Sequence, residues 1–121
     1  MLLAIALGGT LGSLARYAIA VAFEQASAGD LPWATLTVNV VGCLLIGILA
    51  TRLRGAERPW VRPFVLTGVL GGFTTFSAFA LETGVLLDAG RWATAGAYVL
   101  ATMVLGLLAV RLGVAVAGRP A

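Results

Sequence analysis

The sequence predicts an all-α integral membrane protein of four transmembrane helices, the third of them broken. Three observations carry that prediction. Of the 121 residues 60% are hydrophobic, against only eight basic and five acidic side chains, a balance far from that of soluble domains. The apolar residues fall into four runs, and crossing a hydrocarbon core of roughly 30 Å takes about 20 residues per helix, so the length is used up by the spans as a single domain. The third run is interrupted at mid-depth by glycines and threonines.

The first span runs from about Leu2 to Phe23, and the polar stretch Glu24 to Asp30 closes it. Ala20-Val21-Ala22 superficially resembles a signal-peptidase site. No basic region follows Met1, however, and Arg16 interrupts the stretch that would form the signal's apolar core. Pro32 marks the next start, and the second span covers about Trp33 to Leu53. Arg52, Arg54, Glu57, Arg58, Pro59 and Arg62 then form an interfacial loop with Trp60 as an anchor. The third span extends from about Pro63 to Leu87, Asp88-Ala89-Gly90-Arg91 makes the turn, and the fourth covers about Thr94 to Val116. All eight basic residues are arginine. Arg52, Arg54, Arg58, Arg62, Arg111 and Arg119 lie on one side against Arg91 and Arg16, which places both termini in the cytoplasm. Scattered at helix ends, these arginines report topology, and no patch for nucleic acid is built from them.

Histidine is absent, which excludes histidine-based acid–base chemistry, and the single Cys43 allows no internal disulfide and no thiolate cluster. The spans nevertheless carry small and polar residues at the four-residue spacing that shares a helix face. Gly8, Gly12 and Arg16 form one line in helix one, with Gly9, Ser13 and Tyr17 beside it. Helix two has Thr35, Asn39, Cys43 and Gly47, and helix four has Thr94, Tyr98, Thr102 and Gly106. Close helix packing explains the glycines. Asn39 is better explained by a polar path, because an unpartnered amide at membrane depth is costly. Arg16 either snorkels from its helix end or joins such a path, and Glu82 is open to the same two readings.

The segment from Gly68 to Phe79 holds Gly71-Gly72 followed by Thr74-Thr75. Each glycine weakens a helix by about 1 kcal/mol relative to alanine, and threonine hydroxyls compete for the freed backbone, so an unwinding between Gly71 and Thr75 is expected. Non-helical backbone inside a bilayer persists only where protein, water or an ion satisfies it, and exposed carbonyls suit a hard cation such as sodium. Phe76 and Phe79, three apart, share a face. Two ring edges turned inward would coordinate a small anion, whereas ordinary aromatic packing is the simpler account of either ring alone.

Taken in order, these motifs resemble the Fluc fluoride channels, also called CrcB. Gly8 to Tyr17 looks like the family's GGxxGxxxRY, Asn39-Val40-Val41-Gly42 follows in helix two, and Gly71 to Ser77 reads GGFTTFS with Phe79 beyond. The resemblance covers nearly the whole chain. It implies an antiparallel dimer with two pores, passive export of fluoride across the cytoplasmic membrane, and no enzyme chemistry. Phe76 and Phe79 match the paired phenylalanines that face fluoride, Asn39 the pore asparagine, and Ser77, Tyr98 and Thr102 the continuing path. Arg16, Thr35, Thr75 and Glu82 would be supporting polar residues, with Glu82 near Tyr98 and Thr35. A structural sodium ion would be held by backbone carbonyls of Gly71 and Thr74. Gly106 departs from the pattern, since a hydroxyl is usual there. The arginine bias sits uneasily with a chain that inserts both ways, so the dimer is either a homodimer or a pair with an oppositely oriented paralogue. Two other classes compete: a proton-coupled small multidrug transporter, which needs an acid in the middle of helix one, and a non-transporting scaffold, which leaves Asn39 and the phenylalanines unexplained.

Overall fold

A computed structural model describes residues 1–26 and 31–118. Part of the stretch from Glu24 to Asp30, and Arg119, therefore lie outside the described residues. All regular structure among the described residues is helical. Four helices are long and apolar enough to cross a membrane: α1 (Leu2–Ala26), α2 (Trp33–Arg52), α3 (Pro63–Asp88) and α4 (Trp92–Ala117).

α2 begins directly after Pro32, whose fixed φ suits a helix start. α4 follows a tight turn in which Gly90 takes φ +74°. The Gly90 and Arg91 N–H groups return to the Leu87 and Leu86 carbonyls at 2.9 and 2.8 Å, satisfying the last carbonyls of α3. At the other membrane face Arg52 donates Nε to the Ala117 carbonyl at 2.8 Å, tying the ends of α2 and α4 together. The two termini that meet there are the C-terminal ends of both helices, where a cation is favoured.

α3 comprises two halves. Pro63–Leu70 is wound with i→i+5 bonding, Gly71–Phe73 adds a turn of α-helix, and Phe76–Asp88 is regular α-helix. Between them Thr74 (φ −83°, ψ 158°) and Thr75 (φ −153°, ψ 117°) are extended. The unwinding thus falls on the threonines, whereas Gly71 keeps helical angles (φ −63°, ψ −36°). The glycines serve packing instead. A Cβ on Gly72 would meet the Gly9 backbone, and one on Gly12 would land on the Val69 carbonyl, so α1 and the first half of α3 lie backbone to backbone.

The break lets the two halves serve different partners. The first half packs mainly on α1, the second on α4, and α2 lies chiefly along α4. A Cβ on Gly113 would strike the Leu44 carbonyl, which shows how closely α2 and α4 approach. The core gathers at this second pair, where Leu36, Phe79, Leu86, Ala95 and Tyr98 form one buried cluster.

Candidate ion pathway at the broken helix

The extended residues are clamped from α2. Asn39 donates Nδ2 to the Thr75 carbonyl at 3.0 Å, and the Thr75 N–H donates to Asn39 Oδ1 at 2.8 Å. One amide side chain thereby supplies both backbone groups of the unwound residue, as a ladder would. From α1, Arg16 donates Nε to the Gly72 carbonyl at 3.1 Å, with the Ser13 hydroxyl at 3.5 Å from the same oxygen. Arg16 therefore reaches into the protein at the break, which decides against simple snorkelling.

The two ends of the break carry opposite polarity. The first half finishes with the Thr74 N–H and hydroxyl both donating to the Leu70 carbonyl at 3.0 Å. In an unbroken helix the Gly71 carbonyl would accept from Thr75 and the Thr74 carbonyl from Ala78. Here the Thr75 N–H goes to Asn39 and the Ala78 N–H to the Thr75 hydroxyl at 3.1 Å, so both carbonyls lose their ladder donors. Gly71 and Thr74 line one cleft, and hard carbonyl oxygens of this kind fit a sodium ion. Among the described residues no cluster of three cysteine, aspartate or glutamate side chains gathers to hold a metal. The second half starts with Thr75 as N-cap, leaving its first N–H groups, on Phe76 and Ser77, as donors at a positive helix end.

The cleft has a volume of about 420 Å³, and Asn39, Thr74, Thr75, Phe76, Phe79 and Thr102 are among its lining residues. Its walls are mostly apolar, so each polar group stands out. The Thr102 hydroxyl is buried there with no hydrogen-bond partner among the described residues. Gly106 lies a turn further on, and a Cβ added to it would meet only Cys43 Sγ at 3.4 Å.

An aromatic file leads away from the break. The Phe79 ring lies 5.7 Å from Phe76 and 5.1 Å from Tyr98, centroid to centroid, tilted 50° and 54°. Phe79 and Tyr98 are buried, while Phe76 is 78% exposed on the surface of the single chain. Beyond Phe79, Glu82 accepts from the Tyr98 hydroxyl at 2.6 Å and from the Thr35 hydroxyl at 2.7 Å. Glu82 and Thr35 also border a second cleft of about 290 Å³, with Glu24, Pro32 and Trp33 among its other walls. Phe79 thus lines the first cleft and Glu82 the second, and the fully buried Tyr98 packs on the one and bonds to the other.

The structure therefore brings together Asn39, Thr75, Phe76, Phe79 and Thr102 on one side, and Thr35, Glu82 and Tyr98 on the other. Ser77 stands apart: it is exposed, 3.3 Å from the Thr75 hydroxyl, and lines neither cleft. The sequence marks Asn39 as a donor to an ion but not its reciprocal clamp, because nothing local links positions 36 residues apart. It also leaves Arg16 between two readings and does not show the bond to Gly72. The four-residue line through Arg16 and Gly12 was the one available signal, since it put Arg16 on the face that meets α3.

A helix broken inside the bilayer, with an amide clamp, aromatic rings and an unpartnered hydroxyl gathered on one cleft, defines a multi-pass membrane protein of the ion-channel class. A family model described as CrcB-like protein, Camphor Resistance (CrcB), matches residues 3–114. A protein of Paracoccus denitrificans, named fluoride-specific ion channel FluC, is 50% identical over 114 residues, spanning 94% of this chain and 91% of that protein. One of Opitutus terrae with the same name is 50% identical over 113 residues, spanning 90% and 86%. The Rhizobium meliloti protein of that name is 43% identical over 116 residues, spanning 94% and 93%. The chain belongs to the CrcB family.

Proposed function

We propose that the chain is a fluoride channel that lets the ion leave the cytoplasm passively, down its gradient. The observation that carries this reading is the buried, unpartnered hydroxyl of Thr102, a residue that lines the same cleft as the clamped break and the Phe76–Phe79 pair. Fluoride is small and strongly hydrated, so a pore must replace its water with several modest donors and bind it tightly at none. The cleft offers such a set. Asn39 spends one Nδ2 hydrogen on Thr75 and keeps the other, the Thr102 hydroxyl is uncommitted, the second half of α3 begins nearby, and ring edges carry positive partial charge. Tyr98, bonded to Glu82, backs the Phe79 ring from behind the wall, and Ser77 would join only where a second chain closes over it.

The name shared by the relatives supports fluoride as the ion, and it requires no enzymatic step. A second copy in antiparallel orientation would cover the exposed Phe76 and the Gly71 edge of the cleft, giving two pores per dimer. The partner is either an identical chain or an oppositely oriented paralogue. Carbonyls of Gly71 and Thr74 would hold a structural sodium ion, whose charge would fix the unwound backbone. The test is a fluoride-selective electrode on protein reconstituted in liposomes. Efflux well above protein-free vesicles is expected, and no efflux from verified, folded protein would overturn the reading.

A further inference from the structure

We infer that the loop between α2 and α3 is a binding surface for anionic phospholipid headgroups, held by Arg54, Arg58 and Arg62. Residues 52–62 contain four arginines and one acid, Glu57, for a net charge of +3. One of the four is spent: Arg52 donates to the Ala117 carbonyl. The other three are exposed, and their guanidinium groups make no ion pair or hydrogen bond among the described residues. Topology alone requires only that positive charge be present on this side. It does not require three free forks on a ten-residue connection.

The depth of the loop decides what they meet. It joins two spans, and Arg62 immediately precedes Pro63, the first residue of α3. Trp60 is 43% exposed just before α3 and lies edge-on to Phe64, with centroids 6.2 Å apart and planes at 76°, and a tryptophan exposed at the end of a span sits at the level of the headgroups. Guanidinium groups at that depth face lipid phosphate, which their planar fork binds through two parallel hydrogen bonds. The opposite face offers no counterpart, because Glu24 and Asp88 are its exposed charged side chains among the described residues.

The test uses the full-length protein in neutral detergent, titrated with fluorescent phosphatidylglycerol, with phosphatidylcholine and with inorganic phosphate. Phosphatidylglycerol should bind at least tenfold tighter than phosphatidylcholine, and more weakly as salt is raised. An arginine at an anionic surface contributes about fivefold, so the combined variant Arg54→Gln, Arg58→Gln, Arg62→Gln should lose on the order of a hundredfold. Glu57→Gln, which removes the only acid, should tighten binding about fivefold and serves as the deciding variant if the triple substitution does not fold. Equal binding of the two lipids, or an unchanged affinity in the triple variant or in Glu57→Gln, would overturn the inference. Displacement by equimolar inorganic phosphate would do the same, by making a free anion the occupant.

Discussion

Replacing Asn39 with alanine removes both hydrogen bonds that hold Thr75. Hydrogen bonds between membrane helices contribute about 0.6–2 kcal/mol each, and a buried backbone group left unsatisfied costs about 1–3 kcal/mol. Thr75 would be left with its N–H stranded, because as N-cap its carbonyl also accepts the first bond of the second half. Water entering from the cleft would relieve part of the penalty, so the net loss should be about 2–4 kcal/mol, which is a factor of roughly 30 to 1,000 in the folding equilibrium. Reversible unfolding in mixed micelles should show the loss, and liposome flux should fall at least tenfold alongside it. Stability within about 0.5 kcal/mol of the parent, the scatter expected of a substitution that touches no special feature, would refute the clamp. A flux loss with unchanged stability would leave Asn39 as a donor to the ion alone.

Gly12→Ala would place its Cβ on the Val69 carbonyl, whereas Gly9→Ala meets nothing within 4 Å; the first should cost about 1–3 kcal/mol or more by overpacking and the second almost nothing, as read by thermal unfolding. Thr102→Val exchanges a hydroxyl without a partner for a methyl of similar shape, so stability should be unchanged or higher while fluoride efflux drops severalfold. Glu82→Ala strands the Thr35 and Tyr98 hydroxyls and should destabilise by about 2–5 kcal/mol, with Tyr98→Phe costing less because only one bond is lost.

Much of the fold could be read from the apolar runs, since a bilayer forces each into a helix. The place of the break could not. Gly71-Gly72 looked like its cause, because glycine weakens helices in water, where the backbone can turn to solvent. In hydrocarbon that alternative is missing, so Gly72 keeps its helical turn and spends its missing side chain on Gly9. Unwinding occurs at Thr74 and Thr75 because partners exist there: the Thr75 hydroxyl caps Ala78, and Asn39 takes the Thr75 backbone. The first of these is local and could be read; the second depends on tertiary placement.

Tertiary partners also keep the geometry of the pathway. The Gly72 carbonyl is held by Arg16 from α1, and Thr75 by Asn39 from α2, so the two sides of the break are fastened to different helices. α1 moves with the first half of α3, which it meets backbone to backbone at Gly12, while α2 moves with α4 through Gly47 and Gly113. Any shift between these pairs must stretch one fastening or the other. The extended residues are thus held from both ends in the one arrangement that takes the ladder donors from the Gly71 and Thr74 carbonyls and sets Phe79 against Tyr98. A break that was merely flexible would let the Thr75 and Ala78 N–H groups reclaim those carbonyls and the Phe76 and Ser77 N–H groups return to the Gly72 and Phe73 carbonyls, so the donors the pathway needs would be lost.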